Sequence, residues 1–297
     1  MMNPEIHIRH LYKSYGKKQA LNDINLDIGT GMFGLLGRNG AGKTTLMKTL
    51  ATLHMKNSGN VTVCGIPIEK AKEIRRCVGY LPQDFAVYPN MTVYSAMDYL
   101  GTLSGLPASI RRERIPQLLR QVNLEDRHKM KFKALSGGMK RRLGIAQAIL
   151  HDPQVLIVDE PTAGLDPEER IRFRNLLSEL AEDRIVILST HIVGDIEATC
   201  ERIAVLDKGR LKYAGTAQEL TAQAAGKVYT VGVTKQELER VKAAYTVTGM
   251  LTLGSEVTVR LLADHQPYPG AALAEPTIED AYMLMMGGAS DVRSFMA

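Results

Sequence analysis

A glycine-rich loop between an apolar run and a helical pattern constrains this chain most. Residues 37–44, GRNGAGKT, have the spacing G-x-x-x-x-G-K-[ST]. The apolar run Phe33–Leu36 before the loop predicts a buried strand, and Thr44–Leu53 after it predicts a helix. That context is what a phosphate-binding loop requires. The alternative is a plain glycine turn that joins a strand to a helix.

The chemistry of such a loop follows from its residue types. Glycines let backbone N–H groups turn toward anionic oxygens, and the N-terminus of the next helix adds a partial positive charge. We expect Lys43 to reach the terminal phosphates of a nucleotide and Thr44 to hold Mg²⁺.

Two adjacent carboxylates close a second apolar run. Val155–Val158 is continuous, which is typical of a central parallel strand buried on both faces, and Asp159 and Glu160 follow it. Neighbours on a strand point in opposite directions, so the pair is not expected to act as a like-charge dyad. We expect Asp159 to face Mg²⁺ through water and Glu160 to face an attacking water. The alternative is a solvated strand end.

A histidine follows a third apolar run, RIVILSTH, which ends at His191. A lone histidine in such a place is normally structural. Here, however, three polar motifs each close an apolar strand, and ligands of open α/β sheets bind beyond the carboxyl ends of the strands. We therefore expect the three motifs to converge on one sheet edge, with His191 in the catalytic site.

Composition and charge set broad limits. The 297 residues suffice for one large domain, or for one large and one small domain, and the net charge of +5 predicts an ordinary solvated surface. Cys64, Cys77 and Cys200 lie far apart without metal-binding spacing, which suits a reducing compartment. The first residues predict no signal peptide, and no run approaches the about 18 apolar residues that cross a bilayer. A role at a membrane would therefore need another protein to bring the chain there.

Together these motifs resemble those of the ATP-binding cassette (ABC) ATPases, the nucleotide-binding subunits of ABC transporters. The resemblance covers residues 5–218. The motifs that carry it, in the order typical of the family, are KSYGKKQAL, GRNGAGKTT, YLPQDF, LSGGM, VLIVDEP, AGLD and the histidine of STH. It implies an α/β fold of the P-loop NTPase class and the ABC ATPase type. Such a fold has a RecA-like parallel sheet core, an antiparallel β subdomain and a helical subdomain, here at about 84–150.

The resemblance implies ATP and Mg²⁺ as ligands and assigns positions to both. Tyr15 would stack on adenine; Tyr12 is the competing candidate, and core packing is the alternative for either residue. The magnesium positions would be Thr44, Gln83 and Asp159. The nucleotide-binding positions would be Tyr15, Gly37, Arg38, Asn39, Gly40, Ala41, Gly42, Lys43, Thr44, Thr45, Ser136, Gly137, Gly138 and Asp166.

Catalytic roles follow from the same resemblance. Glu160 would polarise the attacking water, His191 would contact the γ-phosphate, and Lys43 would hold the phosphates. Gln83 would sense Mg²⁺ and the water, and would link the site to a membrane partner. Asp166 would signal across a dimer interface.

The stretch LSGGMKRRLG, residues 135–144, has the local chemistry of a second phosphate grip. Ser136 predicts a helix N-cap, and Gly137 and Gly138 expose the backbone at the positive end of that helix. In the family this grip holds the γ-phosphate of the ATP bound to the other subunit, so two chains, identical or different, pack head to tail. Met139 replaces the usual glutamine, a variant that resembles the ABC-2 type exporters. The basic run KRR is expected to balance nearby acids, and a special role is the alternative.

Two further regions flank this site. Residues 84–91, DFAVYPNM, occupy the place where the family docks a cytoplasmic helix of the transmembrane subunit, although their apolar side chains have internal packing as an alternative. The capping pair Thr216 and Glu219 starts a helix near the end of the ATPase domain, placed at 1–218. Residues 219–297 predict a small α+β accessory domain. Core stabilisation or dimer contact is its simplest role, and regulation or contact with the membrane partner is the alternative.

Within the α+β module, alternating residues in KVYTVGV and EVTVRLL predict two strands. TKQELERVKAA between them predicts a helix capped at Thr234, and TIEDAYMLMMG predicts a helix that starts from Thr277.

The sequence thus predicts the ATP-hydrolysing subunit of an ABC exporter at the cytoplasmic face of the cell membrane. Its partners would be transmembrane permease subunits and a second ABC ATPase subunit. One alternative is a soluble ABC ATPase that acts on nucleic acid, the ribosome or cofactor assembly. The chain shows no long heptad coiled coil, second cassette or basic–aromatic stripe, so no nucleic-acid partner is expected. The other alternative, binding without hydrolysis, is disfavoured by Glu160 and His191.

Overall fold

The chain divides into two compact units, Met1–Ala214 and Gly215–Ala297, called here the N-terminal and the C-terminal unit. The computed structural model describes residues 4–162, 164–254 and 256–287. The boundary between the units lies just before Thr216, the residue that caps the first helix of the C-terminal unit.

The N-terminal unit contains ten strands and seven α-helices among its described residues. The strands are β1 (Ile6–Tyr15), β2 (Lys18–Ile28), β3 (Gly31–Leu36), β4 (Ser58–Val63), β5 (Ile66–Pro67), β6 (Val78–Leu81), β7 (Val155–Asp159), β8 (Ile185–Thr190), β9 (Arg202–Asp207) and β10 (Arg210–Thr216). The helices are α1 (Lys43–Leu50), α2 (Ala71–Cys77), α3 (Val93–Leu103), α4 (Ala108–Gln121), α5 (Gly137–Ala148), α6 (Pro167–Leu180) and α7 (Val193–Glu197).

A six-stranded sheet in the order β10-β9-β3-β8-β7-β6 forms the centre of this unit. Strands β9, β3, β8, β7 and β6 pair in parallel. Every residue of β7 and β8 is buried, which explains why both strands are apolar almost throughout. The loop before α1, Glu160 and His191 all follow parallel strands, so the register of the sheet brings them to one edge.

A four-stranded antiparallel sheet in the order β2-β1-β4-β5 lies against the same apolar core. The core joins side chains of this sheet, such as Ile8 and Val61, to Met47 of α1 and Ile157 of β7. Helix α1 is therefore fixed between the two sheets. It ends at Leu50 and not at the predicted Leu53, because Thr52 has a φ of 57° and the N–H of Leu53 bonds back to Lys48.

The segment between β6 and β7 carries the helices α3, α4 and α5. Thr92 caps α3 through a hydrogen bond from the N–H of Ser95, and Ser136 caps α5 through one from the N–H of Met139. Most residues of the last two turns of α5 are buried, so this end of the helix is part of the packed interior.

The C-terminal unit has its own sheet and its own core. Its elements are α8 (Ala217–Ala222), β11 (Val228–Thr234), α9 (Lys235–Ala244), β12 (Thr246–Leu253), β13 (Glu256–Leu262), β14 (Ala272–Leu273) and α10 (Ile278–Met285). The sheet order is β12-β13-β11-β14. Capping boxes begin α8 and α9, as the sequence predicts, and a third begins α10, for which the sequence predicts only the start at Thr277. Strand β12 was not predicted.

A buried carboxylate ties α10 to this sheet. Asp280 is 1% exposed and accepts hydrogen bonds from the guanidinium of Arg260, the hydroxyl of Thr248 and the N–H of Thr277. Burial alone would raise the pKa of Asp280, but these donors more than offset it and hold the pKa below its usual value. The carboxylate therefore stabilises the unit in its charged form.

Candidate nucleotide-binding site

An open cleft of about 350 Å³ lies at the edge of the parallel sheet. Its walls come from the first two strands, from the loop after β3, from the start of α1 and from the ends of β6 and β7. The lining residues are Tyr15, Lys18, Ala20, Arg38, Asn39, Gly40, Ala41, Gly42, Lys43, Thr44, Thr45, Gln83 and Glu160. The cleft thus brings together most of the positions that the sequence predicts for nucleotide and magnesium.

The loop before α1 has a backbone that only glycine tolerates well. Gly40 and Gly42 have φ angles of 79° and 111°, and a Cβ added at Gly42 would lie 2.7 Å from the carbonyl oxygen of Ala20. The loop closes around Lys43, which is 5% exposed and whose ammonium donates to the carbonyl of Gly37 at 2.6 Å. A largely buried cation therefore forms part of the cleft lining.

Glu160 joins this cation to the histidine of the third motif. Its Oε1 lies 3.4 Å from Nζ of Lys43, and a hydrogen bond of 2.6 Å joins its Oε2 to Nδ1 of His191. The residue has a φ of 46°, in the left-handed region that non-glycine residues rarely adopt. This backbone turn directs the Glu160 carboxylate into the cleft.

Asp159 points the other way, toward Thr44. The hydroxyl of Ser189 donates to Oδ1 of Asp159 at 2.6 Å, and the Thr44 hydroxyl lies 3.4 Å from the same atom. Within the described part of the chain, Oδ2 of Asp159 is buried without a hydrogen bond, as is the hydroxyl of Tyr80. Burial and the Asp159 carboxylate both raise the pKa of Tyr80, so its phenol stays neutral.

The donor set around Asp159 fits magnesium. Hard oxygen atoms come from the Asp159 carboxylate and the Thr44 hydroxyl, and Gln83 lines the same cleft. Mg²⁺ typically binds one or two protein oxygens and completes its shell with phosphate oxygens and water. No cluster of three or more His, Cys, Asp or Glu side chains among the described residues could hold a metal alone.

Of the two tyrosines predicted as candidates for adenine, only Tyr15 lines the cleft. Its ring is 44% exposed and meets the ring of His54 edge to face at 5.7 Å between centroids. Nζ of Lys13 lies 5.0 Å from the centroid of the Tyr15 ring. An exposed, laterally supported ring at the cleft wall is the arrangement that stacking on a base requires.

The second grip lies outside this cleft. Ser136, Gly137 and Gly138 do not line it, and neither does Asp166. Glu169 links Gly138 to Asp166. A Cβ added at Gly138 would lie 2.7 Å from Oε2 of Glu169, and the N–H of Glu169 donates to the Asp166 carboxylate. The residues of the predicted second grip therefore lie apart from the cleft.

Sequence reasoning missed two residues of the site. The Ser189 hydroxyl accepts a hydrogen bond from the N–H of Glu160 and donates one to the carboxylate of Asp159, so one hydroxyl joins the Glu160 backbone to the Asp159 side chain. Arg141, in the KRR run, donates to the backbone carbonyls of Pro82, Gln83 and Glu160. The run was the only sequence signal for Arg141, and the strand before His191 was the only one for Ser189.

The segment after Gln83 divides between packing and exposure. Phe85 meets the ring of Phe132 edge to face at 6.0 Å, whereas Tyr88 is 65% exposed and meets Tyr99 at 6.1 Å. The predicted apolar set is therefore split: Phe85 packs internally, and Tyr88 faces outward.

Comparison with known proteins identifies the chain's family. The ABC transporter family matches residues 21–163. The linearmycin resistance ATP-binding protein LnrL of Bacillus subtilis (strain 168) is 32% identical over 285 residues, which are 93% of this chain and 92% of that protein. The chain belongs to the ABC transporter family of ATP-binding proteins.

Other ABC proteins agree with this membership. The Nod factor export ATP-binding protein I of Cupriavidus pinatubonensis is 37% identical over 244 residues, 81% of this chain and 75% of that protein. An ATP-binding subunit of an ABC transporter has a solved structure with a TM-score of 0.66 and 29% identity, which covers 73% of this chain and 92% of that one.

A further ABC structure shows the nucleotide chemistry of the fold. It is an ATP-binding cassette dimer in a post-hydrolysis state with ADP and Pi, with a TM-score of 0.65 and 25% identity over 71% of this chain and 98% of that one. The predicted P-loop fold of the ABC type is confirmed. ABC ATP-binding proteins bind ATP or ADP, work with membrane subunits and dimerise. Within the described ranges of this ABC protein, none of the helices has the length and hydropathy needed to cross a membrane.

Proposed function

We propose that this chain is the Mg²⁺-dependent ATPase subunit of an ABC exporter, bound to the cytoplasmic face of the cell membrane through a permease. One observation carries the proposal. Lys43, Glu160 and His191 form a continuous chain of polar contacts beside a glycine loop, at the edge of a parallel sheet. That arrangement combines a cation for phosphate with a carboxylate for a nucleophilic water.

In the proposed reaction the residues have separate tasks. The loop from Gly37 to Thr45 and the Lys43 ammonium bind the ATP phosphates, and Tyr15 stacks on the adenine. Glu160 orients and polarises the attacking water, and His191 contacts the γ-phosphate while its hydrogen bond holds Glu160. Gln83 also lines the cleft, and the segment that follows it carries the exposed Tyr88.

Magnesium would be held by Thr44 and Asp159, with Gln83 beside it. When bound, it would supply positive charge to the β- and γ-phosphate oxygens. Ser189 keeps Oδ1 of Asp159 fixed, and the unpaired Oδ2 supplies a free buried acceptor for the metal or for a water of its shell.

The second grip supports a two-chain mechanism. Ser136, Gly137 and Gly138 lie outside the cleft, at the positive end of α5. Ser136 and Gly137 are exposed and would meet the nucleotide of another ABC subunit there, whereas Gly138 is buried against the side chain of Glu169. ATP would then join two subunits, with Asp166 close to the same surface. Hydrolysis of the γ-phosphate would release that link and reopen the dimer.

Export is supported by relatives and by one sequence variant. The relatives named for linearmycin resistance and for Nod factor export suggest that this chain also serves an exporter. The LSGGM variant resembles the same branch. The two-unit organisation, with an ATPase domain at 1–218 and an accessory domain at 219–297, is part of the proposal.

Two measurements test the proposal. Purified chain should hydrolyse ATP in the presence of Mg²⁺ and lose that activity with EDTA. Tagged chain pulled from gently solubilised membranes of the native host should bring a multi-spanning membrane protein at near-equal stoichiometry. Ribosomal or nucleic-acid partners, with the chain absent from membranes, would retain the ATPase but remove the exporter role.

A further inference from the structure

The guanidinium of Arg141 links two strand ends of the site. Its Nη1 donates to the carbonyl oxygens of Pro82, at 3.2 Å, and Gln83, and its Nη2 donates to the carbonyl oxygen of Glu160 at 3.3 Å. These carbonyls follow β6 and β7, which are adjacent parallel strands. A single side chain on α5 therefore joins the segments that carry Gln83 and Glu160.

This contact depends on the shape of arginine. A planar guanidinium presents several N–H donors in a rigid fork, whereas an ammonium is a point charge on a flexible stem. Burial lowers the pKa of Arg141, and the carboxylates of Asp84 and Asp159 oppose that shift. The cation thus lies in a partly desolvated place where its hydrogen bonds are strong and its geometry is fixed.

The neighbouring basic residues point elsewhere. Arg142 donates to the carbonyls of Val122 and Asn123 and pairs with Glu169 at 3.3 Å. Nζ of Lys140 lies 5.4 Å from the centroid of the Phe132 ring. Of the three basic residues in the KRR run, Arg141 is the one that donates hydrogen bonds to the backbone beside the cleft.

We propose that Arg141 is a positioning residue for ATP hydrolysis, which couples the grip at Ser136 to the backbone of Gln83 and Glu160. Both ends of the coupling belong to one helix, because Ser136 caps α5 and Arg141 lies within it. Five residues of α-helix span about 7.5 Å and move as a rigid body. Binding of Ser136 to the nucleotide of a second subunit therefore sets the position of the Arg141 guanidinium. This inference rests on the proposed ATPase function.

Arg141 acts on the hydrolysis of ATP and not on its binding. Its contacts are to backbone carbonyls, and the residue does not line the nucleotide cleft. Loss of the fork should leave the phosphate loop and Tyr15 intact, so binding of ATP should persist. A small misplacement of Glu160 or Gln83 relative to the water, by contrast, lowers turnover by about ten- to a hundredfold.

The test compares Arg141→Met and Arg141→Lys with the control Lys140→Gln in the 297-residue chain. Lys140→Gln removes one charge from the same helix without touching the two strand ends. We expect kcat to fall about tenfold or more in both Arg141 variants, while the Kd for ATP changes less than about threefold. Hydrogen exchange followed by mass spectrometry should show faster exchange at the N–H of Glu160, which donates to Ser189. The control should keep the parental kcat and exchange.

Several outcomes would overturn the proposal. One is an Arg141→Met chain whose kcat equals that of the control. Another is an Arg141→Met chain whose kcat and ATP affinity fall by the same factor. If Arg141→Met does not fold, a folded Arg141→Lys with parental kcat and parental exchange at Glu160 has the same meaning. A parental chain that neither binds nor hydrolyses ATP would instead refute the proposed function itself, so the two failures are distinguishable.

Discussion

The ammonium of Lys43 and the carboxylate of Glu160 form a buried ion pair, with 3.4 Å between Nζ and Oε1. Both side chains are less than a tenth exposed. Phosphate oxygens that bind Lys43 must therefore share this cation with Glu160. The pair couples the group proposed to bind phosphate to the group proposed to activate water. Substituting each residue alone should therefore show its separate effect on ATP binding and on turnover.

Glu160→Gln is expected to lower the rate of ATP hydrolysis strongly and to leave ATP binding intact. The amide keeps the size of the side chain but is a poor base, so the hydrolysis rate should fall about 10²-fold or more. Loss of the negative charge beside Lys43 also reduces repulsion of phosphate, so ATP should bind at least as tightly as in the parent. Steady-state ATPase rates and calorimetry measure both effects. Glu168→Gln, an exposed acid on α6, is the matched control. Parental turnover in Glu160→Gln would remove Glu160 from the role of base.

Lys43→Ala should act on binding itself. The substitution removes a charged hydrogen-bond donor worth about 1.5–3 kcal/mol, which corresponds to roughly ten- to a hundredfold in the Kd for ATP. It also leaves the buried Glu160 carboxylate without its cation, so the free energy of unfolding should fall. Calorimetry with ATP is the direct measurement, and Lys48→Ala on the same helix is the control. Unchanged ATP affinity would contradict the phosphate-loop assignment.

Substitutions at the two tyrosines separate adenine stacking from core packing. Tyr15→Ala should weaken ATP binding by about tenfold, since stacking of a base on an aromatic ring is worth about 1–3 kcal/mol. Tyr15→Phe keeps the ring and should bind ATP as the parent does. Tyr12→Ala, which lies outside the cleft lining, should leave ATP affinity near the parental value. Weaker binding only in Tyr12→Ala would transfer the role to that residue.

Ser136→Ala is expected to weaken ATP-dependent dimerisation more than ATP binding. The hydroxyl caps α5, and its loss costs about 1 kcal/mol of helix stability as well as a proposed contact to the nucleotide of the second chain. Gel filtration with ATP in the Glu160→Gln background should show less dimer. Thr92→Ala removes the equivalent cap of α3 and controls for stability. Equal loss of dimer in both variants would argue for a structural effect alone.

The buried carboxylate of the C-terminal unit predicts a pH dependence. Because the pKa of folded Asp280 lies below its usual value, the unfolded chain binds that proton more tightly. The stabilisation is therefore complete above the unfolded pKa of about 3.9 and is lost as pH falls through the folded pKa. Asp280→Asn should lower the free energy of unfolding by about 1–3 kcal/mol at pH 7 and should flatten the acid limb.

Urea unfolding between pH 3 and pH 7 checks this prediction. Glu279→Gln, its exposed neighbour on α10, should behave as the parent at every pH. An Asp280→Asn chain with parental stability at pH 7 would show that the carboxylate is not the stabilising form.

Local patterns predicted those parts of the structure whose signal lies within one element. Lys43, Asp159 and His191 each stand directly after a buried strand or its loop, so sequence and parallel pairing suffice to place them on one edge. Ser189 and Arg141 escaped because their contacts join segments that are distant in the sequence. Nothing near Arg141 indicates that its partners are the carbonyls that follow β6 and β7.

Strand β12 escaped for a different reason. Its sequence, TVTGMLTL, contains Gly249 beside a register shift and ends in the exposed residues Leu251 and Leu253, so it lacks a clean alternation of buried and exposed positions. Pairing with β13 creates the strand, and this tertiary pairing outweighs the weak local preference. The length of α1 was also wrong, because the positive φ of Thr52 is a property of the turn and not of the helical pattern.

The left-handed backbone of Glu160 sets a limit on how far this protein can be stabilised. A glycine would relieve about 1 kcal/mol of strain there, but it would also leave the buried Lys43 ammonium without its carboxylate. Removing one partner of a buried ion pair costs about 3–5 kcal/mol, which exceeds the strain that a glycine would relieve. The strain at this one position is therefore held in place by the ion pair, and a more stable variant of the chain must gain its extra stability elsewhere in the fold.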